Sequence, residues 1–184
     1  MAAFLLVLFA ILTRVFYASG SHGPHAWWNF TAVGGSLLFF GARRPLREAA
    51  LPVLALMATD YLLTTRLYGY QFQLSSYIIT WAWYAAAILI GAAMLKQRAS
   101  TGRVISASVA ASTSFFLVSN FVFFYADPIA LYPRTFAGML QAYAAGVPFY
   151  RNDLISTLLV TGAAFGALAF FRDKEHAAHT AAAA

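Results

Sequence analysis

A few side chains in this sequence place hydrogen-bonding or charged groups in or beside apolar runs. They are Arg14, Asn29, Asp60, Trp81, Asn120, Arg151, Asn152 and Asp153. Asp60 lies in the apolar stretch 51–63, and Arg14 in the first apolar stretch of the chain. In hydrocarbon such a charge costs roughly 2.5–3.5 kcal/mol or more on insertion scales, so each needs a counter-charge or a water-filled cavity. Charges kept at depth serve to bind or move something polar, or to pair with one another across a helix interface. Covalent chemistry finds little support. The chain has no cysteine, which excludes disulfides, thiolate metal sites and cysteine nucleophiles. No phosphate loop, HExxH, paired-carboxylate or nucleophile motif is present. The histidines form two loose pairs, His22/His25 and His176/His179, too isolated for a metal site. The expectation is a binding protein that is not an enzyme and uses no cofactor.

The elements that must position these groups are membrane helices. The 184 residues are 61% hydrophobic, 17% aromatic and 10% charged, with a mean hydropathy of +0.69. A soluble domain carries about 25% charge. At about 20 apolar residues per crossing, the composition predicts an all-α polytopic bundle of six spans: 3–19, 27–41, 49–66, 74–95, 104–125 and 152–171. The second is short and contains Gly34-Gly35, so it is expected either to bend or to cross only part of the bilayer. Residues 1–175 form one domain, followed by a low-complexity tail, 176–184, expected to be disordered. The start of the chain lacks the basic flank and cleavage site of a signal peptide and reads as a retained helix.

Charge orients the bundle. Arg43, Arg44 and Arg47 lie between spans two and three, Lys96, Arg98 and Arg103 between four and five, and Arg172 and Lys174 after six. The positive-inside rule then places both termini in the cytoplasm of a bacterial inner membrane. The net charge of +6 thus reflects topology, and no nucleic-acid partner is implied. The long connector 126–150 is expected on the outside. Its segment 135–145 has helical composition and is bounded by Pro133 and by the Gly146-Val147-Pro148 break, which predicts an extra outer-surface helix, either resting on the membrane or serving as a lid.

In this orientation Arg14 and Asp60 share a depth of ~17 Å from the cytoplasmic face, and an ion pair between them is expected. Asn120, Asn29, Asn152 and Asp153 lie further out, and Trp81 lies some way into span four, where it either belongs to the aromatic belt or faces a pocket. The inner halves of spans four to six are dry. A pocket opening outward fits this distribution, with Asp60 and Asn120 in its wall. The bland alternatives are interhelical hydrogen bonding by Asn120 and helix capping by Asn152 or Asp153. Small-residue pairs, Gly162/Gly166, Ala107/Ala111, Ser108/Ser112 and Ala87/Gly91, predict close helix packing within the bundle, or a docking face for another membrane subunit.

Three stretches carry a resemblance: Asn29-Phe30-Thr31-Ala32-Val33-Gly34; Leu51-Pro52 to Thr59-Asp60; and Phe116 to Phe121 with Tyr132-Pro133 and Gly146 to Asn152. In this order they resemble a family of small, uncharacterised bacterial six-helix membrane proteins. That family looks like the S components, the substrate-binding subunits, of energy-coupling-factor (ECF) vitamin transporters. The family's Gly-Asp after Arg-Asn is Ser156-Thr157 here, with Asp153 as the nearby carboxylate. Ala2, Ala3 and Ala10 do not make the alanine-xxx-alanine spacing by which S components dock their energising partner. The resemblance implies capture of a small polar or vitamin-like solute from the outer side, with an ATP-driven module as partner. The rival expectation is a structural or assembly subunit of a larger membrane complex.

Overall fold

Beginning at Ala2, eighteen residues with no helix breaker form the first of a series of helices. The computed structural model of the chain describes residues 1–19, 30–126 and 130–182. Among the described residues the regular structure is entirely helical: α1 (Ala2–Ser19), α2 (Val33–Arg43), α3 (Ala50–Leu62), α4 (Leu74–Leu95), α5 (Thr101–Ala126) and α6 (Phe136–Ala182). A 3₁₀ turn, Leu46–Glu48, leads into α3, and a π-helical turn, Leu63–Leu67, extends it. Among the described residues, the helices long and apolar enough to cross a membrane are α1, α4, α5 and the Phe136–Arg172 part of α6, four where the hydropathy pattern predicts six spans. The expected spans 74–95 and 104–125 coincide with α4 and, within a turn, with α5.

The two expected spans without such a helix are 27–41 and 49–66: α3 has 13 residues before its π-helical turn, and α2 is shorter still. Its 11 residues rise only ~16 Å, about half the ~30 Å hydrocarbon thickness, and part of the expected span 27–41 lies outside the described residues. Yet α2 is the most enclosed element. Every residue from Val33 to Ala42 is buried, with α1, α4, α5 and α6 around it. Glycine makes this possible. A Cβ on Gly41 would fall on the carbonyl oxygen of Ile88 in α4, and one on Gly91 of α4 on that of Leu38. On the opposite side, Gly34 lies against Thr157 and Gly35 against Val160 of α6. Glycine in a helix interior costs about 1 kcal/mol relative to alanine, which close backbone approach offsets. Gly34-Gly35, expected to bend the span or leave it short of a full crossing, is also a contact surface. Ser36 Oγ donates to the Leu6 carbonyl at 3.0 Å, fastening α2 to α1. Phe40 meets Phe4 and Phe39 meets Phe165, each edge-on at 5.1 Å.

The expected break at Gly146-Val147-Pro148 is absent. Of segment 135–145, residues 136–145 are helical, but they are the first part of α6, which continues through Pro148 to Ala182. Proline removes one N–H and normally kinks or ends a helix in water. Among membrane helices, neighbouring groups re-satisfy the freed carbonyl, and proline is tolerated. The helix rises ~70 Å in all and carries on into the low-complexity tail. The small-residue pairs divide. Ala107, Ala111, Ser108, Ser112, Ala87 and Gly91 are buried between helices as expected. Gly162 and Gly166 are not packed against any of the described residues, for a Cβ on either would meet nothing within 4 Å.

Candidate functional site

Two polar centres result, and they differ in whether their carboxylate is satisfied. The first lies where α1, α3 and α4 meet. Asp60, 2% exposed, is near the end of α3, just before the π-helical turn. Arg14 Nη2 donates to Asp60 Oδ1 at 2.6 Å, Trp81 Nε1 to Oδ2 at 2.9 Å and the Tyr84 hydroxyl to Oδ2 at 3.1 Å. Arg14 Nη1 also donates to the Tyr84 oxygen at 3.3 Å. Around this core, Thr64 donates to the Asp60 carbonyl at 2.7 Å and bonds the Tyr77 hydroxyl. Phe72, Tyr77 and Trp81 stack with ring centroids 5.1 to 6.0 Å apart. The ion pair expected from common depth is present. Its carboxylate is fully engaged by helix donors and needs no further partner.

The second centre is a cavity of about 310 Å³ between α4, α5 and α6. From α4, Ser76 faces it; from α5, Ser112, Phe115, Phe116, Ser119, Asn120 and Phe123. From α6 come Gly146, Phe149, Tyr150 and Asp153. The spacing explains the set. On α5 residues 112, 116, 119, 120 and 123 recur at helical intervals of three and four, and on α6 146, 149, 150 and 153 do the same. Asn120 Nδ2 donates to the Phe116 carbonyl of its own helix at 2.8 Å, which leaves Oδ1 close to Gly146. Tyr150 and Thr113 share a hydroxyl–hydroxyl bond of 2.9 Å, and the Phe116 and Tyr150 rings lie 4.8 Å apart.

Here the hydrogen-bond inventory does not close. Among the described residues, the buried side-chain atoms without a partner are Ser112 Oγ, Asp153 Oδ2 and Thr157 Oγ1. Two of these three belong to cavity-lining residues. Asp153 is 8% exposed and Ser112 fully buried. Buried polar groups are nearly always paired, and an unpaired one costs ~1–3 kcal/mol, more when charged.

The structure thus separates the residues expected to form one pocket. Arg14, Asp60 and Trp81 form the satisfied cluster, and none of them lines the cavity, whereas Asn120 and Asp153 do. Asn152 is buried but not in the cavity wall, and Arg151 is exposed. Asn29 falls outside the described residues. Sequence reasoning missed Ser112, Ser119, Phe116 and Tyr150 as cavity residues, and Tyr84 as a ligand of the Asp60 carboxylate. The Ser108/Ser112 pair had been visible only as a packing motif. A serine that serves close approach and one that faces a cavity look alike until the helix rotation is known.

Residues 1–180 match the model of a family described as a family of unknown function, DUF6580. No curated protein and no solved structure matches the chain.

Proposed function

The chain belongs to that family, and we propose that it is an integral membrane solute-binding protein, holding a small polar molecule in the α4–α5–α6 cavity. One observation carries the reading: Asp153 and Ser112 line that cavity close enough to act on each other, yet a buried oxygen of each lacks a well-formed hydrogen bond. A bound solute completes those hydrogen bonds. The volume lies at the low end of small-molecule sites, ~300–1,000 Å³, and the lining mixes aromatic faces with a few polar groups, the composition usual for such sites.

The basic connectors orient the bundle with both termini in the cytoplasm of a bacterial inner membrane. The start of α4 and the end of α5 then lie outward, and the cavity is reached from the outer side. Release inward requires energy, and the chain holds no nucleotide-binding motif. In this reading the protein works like an ECF transporter S component beside an ATP-driven partner. Support for that comparison comes from small size, helical architecture and the motifs at Thr59-Asp60, Asn120 and Arg151-Asn152. The test is mass spectrometry of small molecules co-purifying with the detergent-solubilised protein and with a Ser119→Phe variant, whose added ring fills the cavity. A metabolite enriched with the wild type and lost from the variant is expected. Identical profiles from the two proteins overturn the reading.

A second reading, assembly with another membrane helix, is favoured by a different observation. Gly162 and Gly166 make a GxxxG face on α6 that nothing among the described residues covers, and such faces admit a second helix at close range. Gly162→Ile with Gly166→Ile is expected to break a stoichiometric complex seen by native mass spectrometry in mild detergent. A wild-type protein that is monomeric throughout sinks this alternative.

A further inference from the structure

We infer that the cavity's ligand is a small organic cation, a primary or substituted ammonium carried on a compact, partly apolar body. The inference rests on the solute-binding reading above and adds the chemical class. Among the described residues, Asp153 is the one acidic side chain in the wall, and no lysine, arginine or histidine lines it. Among the described residues no basic side chain forms an ion pair with Asp153, in contrast to Asp60, which holds Arg14 at 2.6 Å. Arg151 is only two residues away, but positions i and i+2 do not face each other on a helix, and its side chain is exposed. An anionic solute would bring a second negative charge beside a buried carboxylate. A neutral solute would leave that carboxylate without a counter-charge, which is costly at such a position. A cation removes both penalties.

The rest of the lining agrees. Asn120 gives one of its two amide N–H donors to the Phe116 carbonyl at 2.8 Å, and the group it turns toward Gly146 of α6 is the acceptor Oδ1. With Asp153 Oδ2 and the oxygens of Ser112 and Ser119, the wall is rich in acceptors, which an ammonium with up to three N–H donors can use. Phe116 and Tyr150 present neighbouring rings, 4.8 Å between centroids, and aromatic faces attract cations within ~6 Å. Phe115, Phe123 and Phe149 leave apolar surface for the body of the solute.

Three probes of one shape test the class: phenethylamine (cationic at pH 7), 2-phenylethanol (neutral) and phenylacetate (anionic). Each is titrated into the purified full-length protein in detergent by calorimetry and followed by the thermal unfolding midpoint. Phenethylamine is expected to bind and raise the midpoint, with the other two at least tenfold weaker. Asp153→Asn is expected to weaken phenethylamine by about 30-fold or more, the usual scale for removing one member of a buried charge pair. Ser119→Phe, which keeps the carboxylate and fills the space, is expected to abolish binding, so the outcome does not hang on one variant's folding. Phenethylamine that does not bind the folded wild type, binds no better than its neutral or anionic analogue, or is unaffected by Asp153→Asn overturns the inference. The ammonium can belong to a free solute or to an ethanolamine lipid headgroup. Titration in phosphatidylglycerol nanodiscs, with and without phosphatidylethanolamine, separates these: competition by the added lipid assigns the headgroup, and unchanged affinity assigns a free solute. Failure here is distinct from failure of solute binding itself. A co-purifying anion or neutral metabolite that Ser119→Phe removes leaves capture standing and rejects the cation.

Discussion

Arg14 of α1 meets Asp60 of α3 at 2.6 Å, and the same carboxylate takes the Trp81 N–H and the Tyr84 hydroxyl of α4. One side chain thereby joins three helices that share few other polar contacts. Removing either charge leaves the other buried without its counter-ion. Asp60→Ala is expected to destabilise by about 3 kcal/mol or more, and the double change with Arg14→Ala by less than Asp60→Ala alone. Unfolding in a detergent series measures this, and strictly additive single-mutant effects would refute the coupling.

The crossing of α2 and α4 admits no side chain at its two glycines. Gly91→Val and Gly41→Val each set a Cβ against a carbonyl oxygen of the facing helix, Leu38 and Ile88 respectively. Backbone cannot rotate away as a side chain can, so a loss of ~3 kcal/mol is expected, the upper end of ordinary overpacking costs. Gly162→Val on the open face of α6 is the control, with no loss of protomer stability. A midpoint shift at Gly162 equal to that at Gly91 would contradict the packing described.

Thr157 is buried at the α2 contact with its hydroxyl unpartnered. Valine has nearly the same shape and no group to satisfy. Thr157→Val is therefore expected to be neutral or to stabilise by about 1 kcal/mol. Destabilisation by more than that in the same unfolding assay would mean that the hydroxyl has a partner such as water or solute.

Topology is open to direct test. Reporter fusions after Glu48, Arg98 and Ala184 are each expected to read cytoplasmic, following the basic bias of those connectors. A periplasmic signal from the end of the chain would reverse the orientation on which outward access depends.

Much of the architecture was legible where one physical requirement dominates. Span 74–95 is set by hydrophobic length alone and emerges as α4. The Arg14–Asp60 pair follows from the cost of two charges at one depth. The elements that resisted depend on what lies opposite them. Gly34-Gly35 weakens an isolated helix and strengthens a crossing, and the sequence of α2 does not contain its neighbours. Pro148 is a breaker by local rules and is carried inside α6 by its surroundings. The candidate site was harder for the same reason. Depth grouped Asp60 with Asn120 and Asp153, but helix rotation decides which carboxylate meets an arginine and which meets a cavity.

The brevity of α2 has a consequence for how the protein is made. A helix that rises about 16 Å, flanked by Thr31 and by Arg43 and Arg44, cannot partition into a bilayer as a free-standing segment the way α4 or α5 can. Its ends would meet hydrocarbon with their backbone groups bare. It becomes a stable resident only when α1, α4 and α6 enclose it, so for this element entry into the membrane and tertiary packing are one event. Faults in its glycines are then expected to lower the yield of inserted protein as well as the stability of the molecules that do fold.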